Sequence, residues 1–144
     1  MAQTVESVLQ TVALYSDNQL YSFVQLPLGA LTAAAGVVAE TGEPFAALLI
    51  DKDEVSLMIA VTAWEDFQRR LPGAQVSPVT YRLLTIDLPL EPTLVGLMAR
   101  ISQTLADAQI SILPFAACSR DHIFVPEIDF DRALAALNAL KTTS

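Results

Sequence analysis

The stretch from Tyr81 to Leu140 limits the folds open to this chain more than any other. The run YRLLTIDLPLEP reads as a strand that ends in proline-rich turn chemistry. TLVGLMARISQTLADAQ follows as a helix, in which Leu94, Leu97, Met98, Ile101, Leu105 and Ala108 make one apolar stripe while Arg100, Gln103 and Asp107 point elsewhere. Met98 in that stripe reads as core filling. ISILPFAACSRDHIFVPEI gives two strands around a tight turn. DFDRALAALNAL closes as a helix with Phe130, Leu134 and Leu137 on its inner face and Asp129 as N-cap. The order is strand, helix, strand, strand, helix.

Composition sets the class around this unit. The 144 residues are 53% hydrophobic and 17% charged, enough to bury a core and too apolar for a disordered chain. The net charge is −8. Phosphate contacts need clustered cations, and only Arg69-Arg70 are adjacent, so no nucleic-acid partner is expected. Cys118 is the sole cysteine, which rules out an internal disulfide and fits a reducing compartment. MAQTVESVLQ lacks the basic-then-apolar order of a signal peptide. The uncharged run Asn18–Ala39 is broken by Gln25, Pro27 and Gly29, which leaves less than the roughly 20 apolar residues a membrane span needs. The expectation is a cytoplasmic protein with no membrane partner.

Earlier in the chain, Val12–Tyr15 and Leu20–Leu26 read as two arms of a hairpin around Ser16-Asp17-Asn18-Gln19, and the polar residues before them as fraying. Ala30–Glu40 reads as a helix stopped by Thr41-Gly42 and Pro44. The unbroken apolar run Phe45–Ile50 suits a strand buried on both faces. Asp51-Lys52-Asp53-Glu54 is a charged turn, Val55–Val61 a strand, and Thr62 with Glu65 a capping box for a helix ending near Leu71-Pro72-Gly73. Pro72–Pro78 reads as a linker. Past it the same elements return roughly sixty to seventy residues later, so two units are expected, 1–74 and 75–144. A β-α-β-β-α order is most of a ferredoxin-like half-sandwich, and the predicted class is α+β: two βαββα units with antiparallel sheets and helices on one face. Modules of this kind more often hold a ligand or a partner than perform chemistry.

Two places could meet a ligand. Asp87 leads into Leu88-Pro89-Leu90-Glu91-Pro92-Thr93, where Pro92 suits a first helical position or Thr93 a cap one residue later. The free backbone N–H groups of that helix start would favour a carboxylate, and Gly96 would allow close approach. In Ser119-Arg120-Asp121-His122, Asp121 either steadies the turn through its own backbone or pairs with an ammonium or guanidinium. A lone histidine at the start of a strand reads as structural. Cys118 and His122 lack an identifiable orienting group and oxyanion site, so no enzyme is expected. Cys118, Asp121 and His122 lack zinc-like spacing and there is no Gly-rich phosphate loop, so neither metal nor cofactor is expected.

These segments resemble ACT domains, in particular the CASTOR-like subset found in an arginine sensor and in small bacterial proteins. The likeness is carried by Ala106-Asp107-Ala108-Gln109-Ile110-Ser111-Ile112, by Asp121-His122-Ile123-Phe124-Val125-Pro126-Glu127 and by the helix opening at Asp129. Upstream, Asp53-Glu54-Val55-Ser56-Leu57 is similar to the family's turn-to-strand element. The resemblance implies a regulatory module of two ACT-like units that binds an amino acid and pairs as a homodimer. It places ligand contacts at Glu91, Pro92, Thr93 and Leu94, and at Ile110, Ser111 and Ile112. The hairpin would add Cys118 and Asp121, the latter as counterpart of the sensor's acidic residue. Where the family commonly has Ser-Thr-aromatic before the hairpin, this chain has Ala116-Ala117-Cys118, which suits an alternative: an interaction or dimerisation module that has lost its ligand pocket.

Overall fold

The computed structural model describes residues 3–11, 13–42 and 45–143. In chain order the helices and strands are α1 (Val5–Thr11), β1 (Leu14–Tyr15), β2 (Tyr21–Leu26), α2 (Leu31–Thr41), β3 (Ala47–Ile50), β4 (Val55–Ala60), α3 (Val61–Phe67), β5 (Gln75–Ile86), α4 (Leu97–Asp107), β6 (Leu113–Ala116), β7 (Asp121–Pro126) and α5 (Phe130–Thr143). The class is α+β with antiparallel strand pairs. Among the described residues no helix is long and apolar enough to cross a membrane.

The chain forms two compact units, one of residues 17–81 and one that joins the segment before it to the segment after it. In the 17–81 unit the strands run in the order β3-β4-β2-β5, with β5 contributing residues up to Tyr81. Alternation along β2 and β4 sends Val24, Leu26, Val55, Leu57 and Ile59 to one face. There they pack on Ala34 and Val37 of α2 and Trp64 of α3. Gly42 ends α2 at φ 62°, a conformation open to glycine.

The other unit has the order β6-β7-β5, with β1 also paired to β5 through Leu14↔Ile86 and Tyr15↔Thr85. Leu84 and Ile86, Ile123 and Val125, the Leu97-Ile101-Leu105 stripe of α4, and Phe130, Ala133 and Leu137 of α5 make its core. The apolar stripe expected for α4 is therefore the one that is buried. Arg82 stacks its guanidinium 3.6 Å from the centre of the Phe130 ring.

The expected boundary at residues 74 and 75 differs from this division, because the segment before residue 17 packs with the C-terminal elements. Helix α1 explains why. Thr4 and Ser7 cap each other, each hydroxyl accepting the other's backbone N–H at 3.1 Å. Val8 and Leu9 are then buried in the core that α4 and α5 share. The fraying start read from the sequence is thus a capped helix, and β1 pairs with β5 instead of forming a hairpin with β2.

Other expectations are corrected in the same way. Pro72–Pro78 is not a linker: β5 begins at Gln75, and its register slips between Ser22↔Thr80 and Val24↔Val76, a bulge that accommodates Pro78. β3 ends its strand order instead of lying inside it, leaving Leu49 59% and Ile50 50% exposed. Thr62 caps nothing; α3 starts at Val61 after Ala60, with no side-chain cap. Val12 and Pro44 lie outside the described residues.

The burial of Leu9, at 4% exposure, yields a prediction. Leu9→Ala should lower the unfolding free energy by about 2–5 kcal/mol, as a core truncation does, measured by urea denaturation. A change below 0.5 kcal/mol would mean that α1 does not hold this position in solution.

Candidate functional site

The strand-to-helix loop after β5 is fixed from both sides. Asp87 donates its N–H to the Ala13 carbonyl at 3.0 Å. Leu90 donates to the Ser119 carbonyl at 2.8 Å, across to the turn between β6 and β7. Gln3 clasps the loop: its Oε1 accepts the Glu91 N–H at 2.7 Å, its own N–H reaches Glu91 Oε2 at 3.2 Å, and its Nε2 donates to the Pro89 carbonyl at 2.7 Å. Leu94 N–H closes on the Glu91 carbonyl at 3.0 Å, so Pro92 and Thr93 are the central pair of a turn. Proline suits the second position of a turn as well as the first of a helix, which is why the helix start was expected too early.

Helix α4 opens at Leu97, after Gly96 with φ 96°. No side chain caps this start. The first N–H groups of α4 therefore lack an intrahelical acceptor and carry the positive end of the helix dipole. A methyl at Gly96 would meet only Val5 Cγ2, at 3.8 Å, so the glycine serves its backbone angle rather than close approach.

The opposite wall is the β6–β7 turn, closed by Ala117 N–H to the Arg120 carbonyl at 2.9 Å, with Cys118 and Ser119 at its tip. Arg120 Nε lies 3.4 Å from Asp87 Oδ1, an ion pair exposed enough to contribute little to stability. Between loop and turn lies a cavity of about 300 Å³. Of the residues expected to touch a ligand, Glu91, Pro92, Leu94, Cys118 and Asp121 line it. Leu97, Met98 and Ala99 at the start of α4, with Gly96, complete the anion-friendly wall.

Thr93 is exposed and is not among the lining residues. Ile110, Ser111 and Ile112 are also elsewhere. Gln109, at φ 59°, donates to the Ala106 carbonyl at 2.9 Å and Ile110 to the Leu105 carbonyl at 2.9 Å, which terminates α4. Ile110 is consequently a core residue at 4% exposure, Ser111 is exposed, and β6 starts only at Leu113. The helix expected over TLVGLMARISQTLADAQ contains Gly96, whereas α4 begins just after it; glycine's tolerance as an N-cap is the local signal for the true start.

His122 is engaged with the neighbouring strand. Its Nδ1 lies 2.8 Å from Oγ1 of Thr85, a residue only 5% exposed. Burial lowers its pKa, with the Asp121 carboxylate opposing and the Arg120 guanidinium adding to the shift. Among the described residues no three His, Cys, Asp or Glu side chains are grouped to hold a metal ion.

Two predictions follow from this geometry. Gly96→Ala forces a side chain into the left-handed region and should cost about 1–2 kcal/mol in urea unfolding; an unchanged midpoint would contradict the angle. His122 takes up its proton later in the folded than in the unfolded chain. Its neutral form therefore supports stability above pH ~6.5, and that support is lost as pH falls below this value. His122→Gln should flatten the decline in urea midpoint between pH 7.5 and 5.5, and an equally steep decline in the variant would remove His122 as a source.

Residues 76–139 match the ACT domain family. None of the curated proteins matches the chain in sequence. Among solved structures, a protein of unknown function from Vibrio cholerae is 26% identical, with a TM-score of 0.73 over 96% of each chain. A protein from Agrobacterium tumefaciens is 18% identical, with a TM-score of 0.67 over 90% of this chain and 89% of its own. The regulatory subunit of aspartate kinase from Thermus thermophilus is 12% identical, with a TM-score of 0.67 over 89% of this chain and 97% of its own. The last two likenesses speak to the fold alone. With the family match, the strand order β6-β7-β5 and the helices packed on those strands agreeing, residues 76–139 of this chain are an ACT domain.

Proposed function

We propose that this chain is a non-catalytic regulatory module that binds an amino acid in the cavity between the loop 87–96 and the turn 117–120, and that it acts as a cytoplasmic homodimer. One observation carries the reading: the cavity offers both signs of charge complement. The uncapped start of α4, Gly96 to Ala99, suits a carboxylate, while Glu91 and Asp121 suit an ammonium. A free amino acid carries both groups on one small body. Of the carboxylates, Asp121 is the better partner, because Glu91 already holds Gln3. The fold shared with the regulatory subunit of aspartate kinase supports a regulatory role. We extend the family reading to the 17–81 unit, whose β-α-β-β-α order repeats that of the ACT domain, so that the chain is a tandem pair of ACT-like units of the CASTOR-like kind.

A second reading, a partner-binding module without a ligand, draws on the exposed apolar edge at Leu49 and Ile50 and on Ala116-Ala117-Cys118 beside the cavity. Thermal shift against the free amino acids separates the two. At a hundred times its Kd a ligand adds about 2.7 kcal/mol, a rise of several degrees in Tm. Asp121→Asn should weaken that ligand about tenfold or more, the scale of a lost charge-assisted hydrogen bond. No shift with any amino acid would favour the partner module.

A further inference from the structure

The 17–81 unit carries a second recess, lined wholly by its own residues. Its lining comes from β2, the start of β4 and the bulged start of β5, and it measures about 380 Å³. A neighbouring hollow of about 210 Å³ shares Gln25, Glu54 and Gln75 with it. The larger recess, mostly apolar in its lining and polar where Gln25, Glu54 and Gln75 meet, falls within the size range of small-ligand sites.

The strand register builds this groove. Gln25 stands opposite Ser56 on one side and opposite Gln75 on the other, so the three side chains form a row across three strands on one face. Glu54 lies two residues before Ser56 and joins that face. Phe23, two residues before Gln25, supplies an aromatic floor. The helix-covered face takes Val24, Leu26, Val55 and Leu57 instead.

A polar, solvated face is ordinary for an antiparallel sheet. Two features separate this one from that background. The first is the bulge: across it β2 advances from Ser22 to Val24 while β5 goes from Thr80 to Val76. The displaced β5 residues line the larger recess through Ser77 and Pro78, and the Val79 N–H is satisfied by Ser77 Oγ at 3.2 Å. The second is charge. Asp51 spends a carboxylate oxygen on the N–H groups of Asp53 and Glu54, at 2.8 and 2.9 Å, and Asp53 pairs with Lys52 at 2.8 Å. Glu54 makes no ion pair, and the side chains of Glu54, Gln25 and Gln75 make no hydrogen bond among the described residues. A carboxylate, two side-chain amides and an aromatic ring line the recess.

We propose that this groove is a second ligand site, selective for a small molecule bearing an ammonium or guanidinium group. Glu54 takes the cation, Gln25 and Gln75 accept its remaining N–H groups, and Phe23 offers its ring to the charge or to an apolar stem. The site is independent of the amino-acid cavity, since it requires no anion-binding helix start.

Agmatine and 1,5-diaminopentane test it on the full chain, because neither carries the carboxylate that the ACT-domain cavity would use. The side-chain amide signals of Gln25 and Gln75 should shift saturably in two-dimensional NMR titrations. Glu54→Gln should weaken the saturation about tenfold and Gln75→Ala by less, while Asp121→Asn leaves it unchanged. Both substituted groove side chains are solvent-accessible, so the variants are expected to fold. Linear, unsaturating shifts, an unaltered affinity in Glu54→Gln, or shifts centred on residues 117–121 would each overturn the proposal.

Discussion

The cavity of the ACT domain depends on how the backbone of residues 87–91 is satisfied. A loop of this length has more polar groups than its own turns can use, and each one shielded from water without a partner would cost about 1–3 kcal/mol. Here the partners come from distant parts of the chain: the Ala13 carbonyl, the Gln3 side chain and the Ser119 carbonyl. The same bonds that remove the penalty tie the loop to the hairpin turn and to the segment before β1. Pre-organisation of the walls therefore comes with the fold, and a ligand entering between them need not order the loop itself.

This arrangement also explains what was legible in the sequence. The apolar stripe of α4 could be read directly, because a 3.6-residue period is a local property. The turn that carries Cys118 and Asp121 was reachable for the same reason: a polar cluster between two apolar runs marks a hairpin. The start of α4 was not, since Pro92-Thr93 satisfies the local rules of both a turn and a helix entry. Only the positive φ at Gly96 settles which applies. Ile110 to Ile112 failed for a related reason. A branched apolar triplet reads as a strand, yet the helix ends on Gln109 in the left-handed conformation and sends Ile110 into the core.

Long-range pairing accounts for the remaining differences. Nothing near Leu14 says that it will stand opposite Ile86, and nothing near Gln75 says that it will stand opposite Gln25. Pro78 looked like linker chemistry because proline is rare inside strands, and its place in a bulge is visible only against the partner strand. The run Phe45–Ile50 shows the limit in another form: hydrophobicity marks a strand but does not say whether neighbours flank it on both sides. Elements were legible where they rest on local pattern and hidden where they rest on register.

The placement of the single tryptophan has a practical consequence. Trp64 is 8% exposed in the core of the 17–81 unit, with Val37, Leu57 and Leu71. Its intrinsic fluorescence thus reports the melting of that unit alone, whereas far-ultraviolet circular dichroism sums over all helices and strands. Superimposable transitions from the two signals would make the molecule one cooperative body, and separated ones would give each half a melting curve of its own.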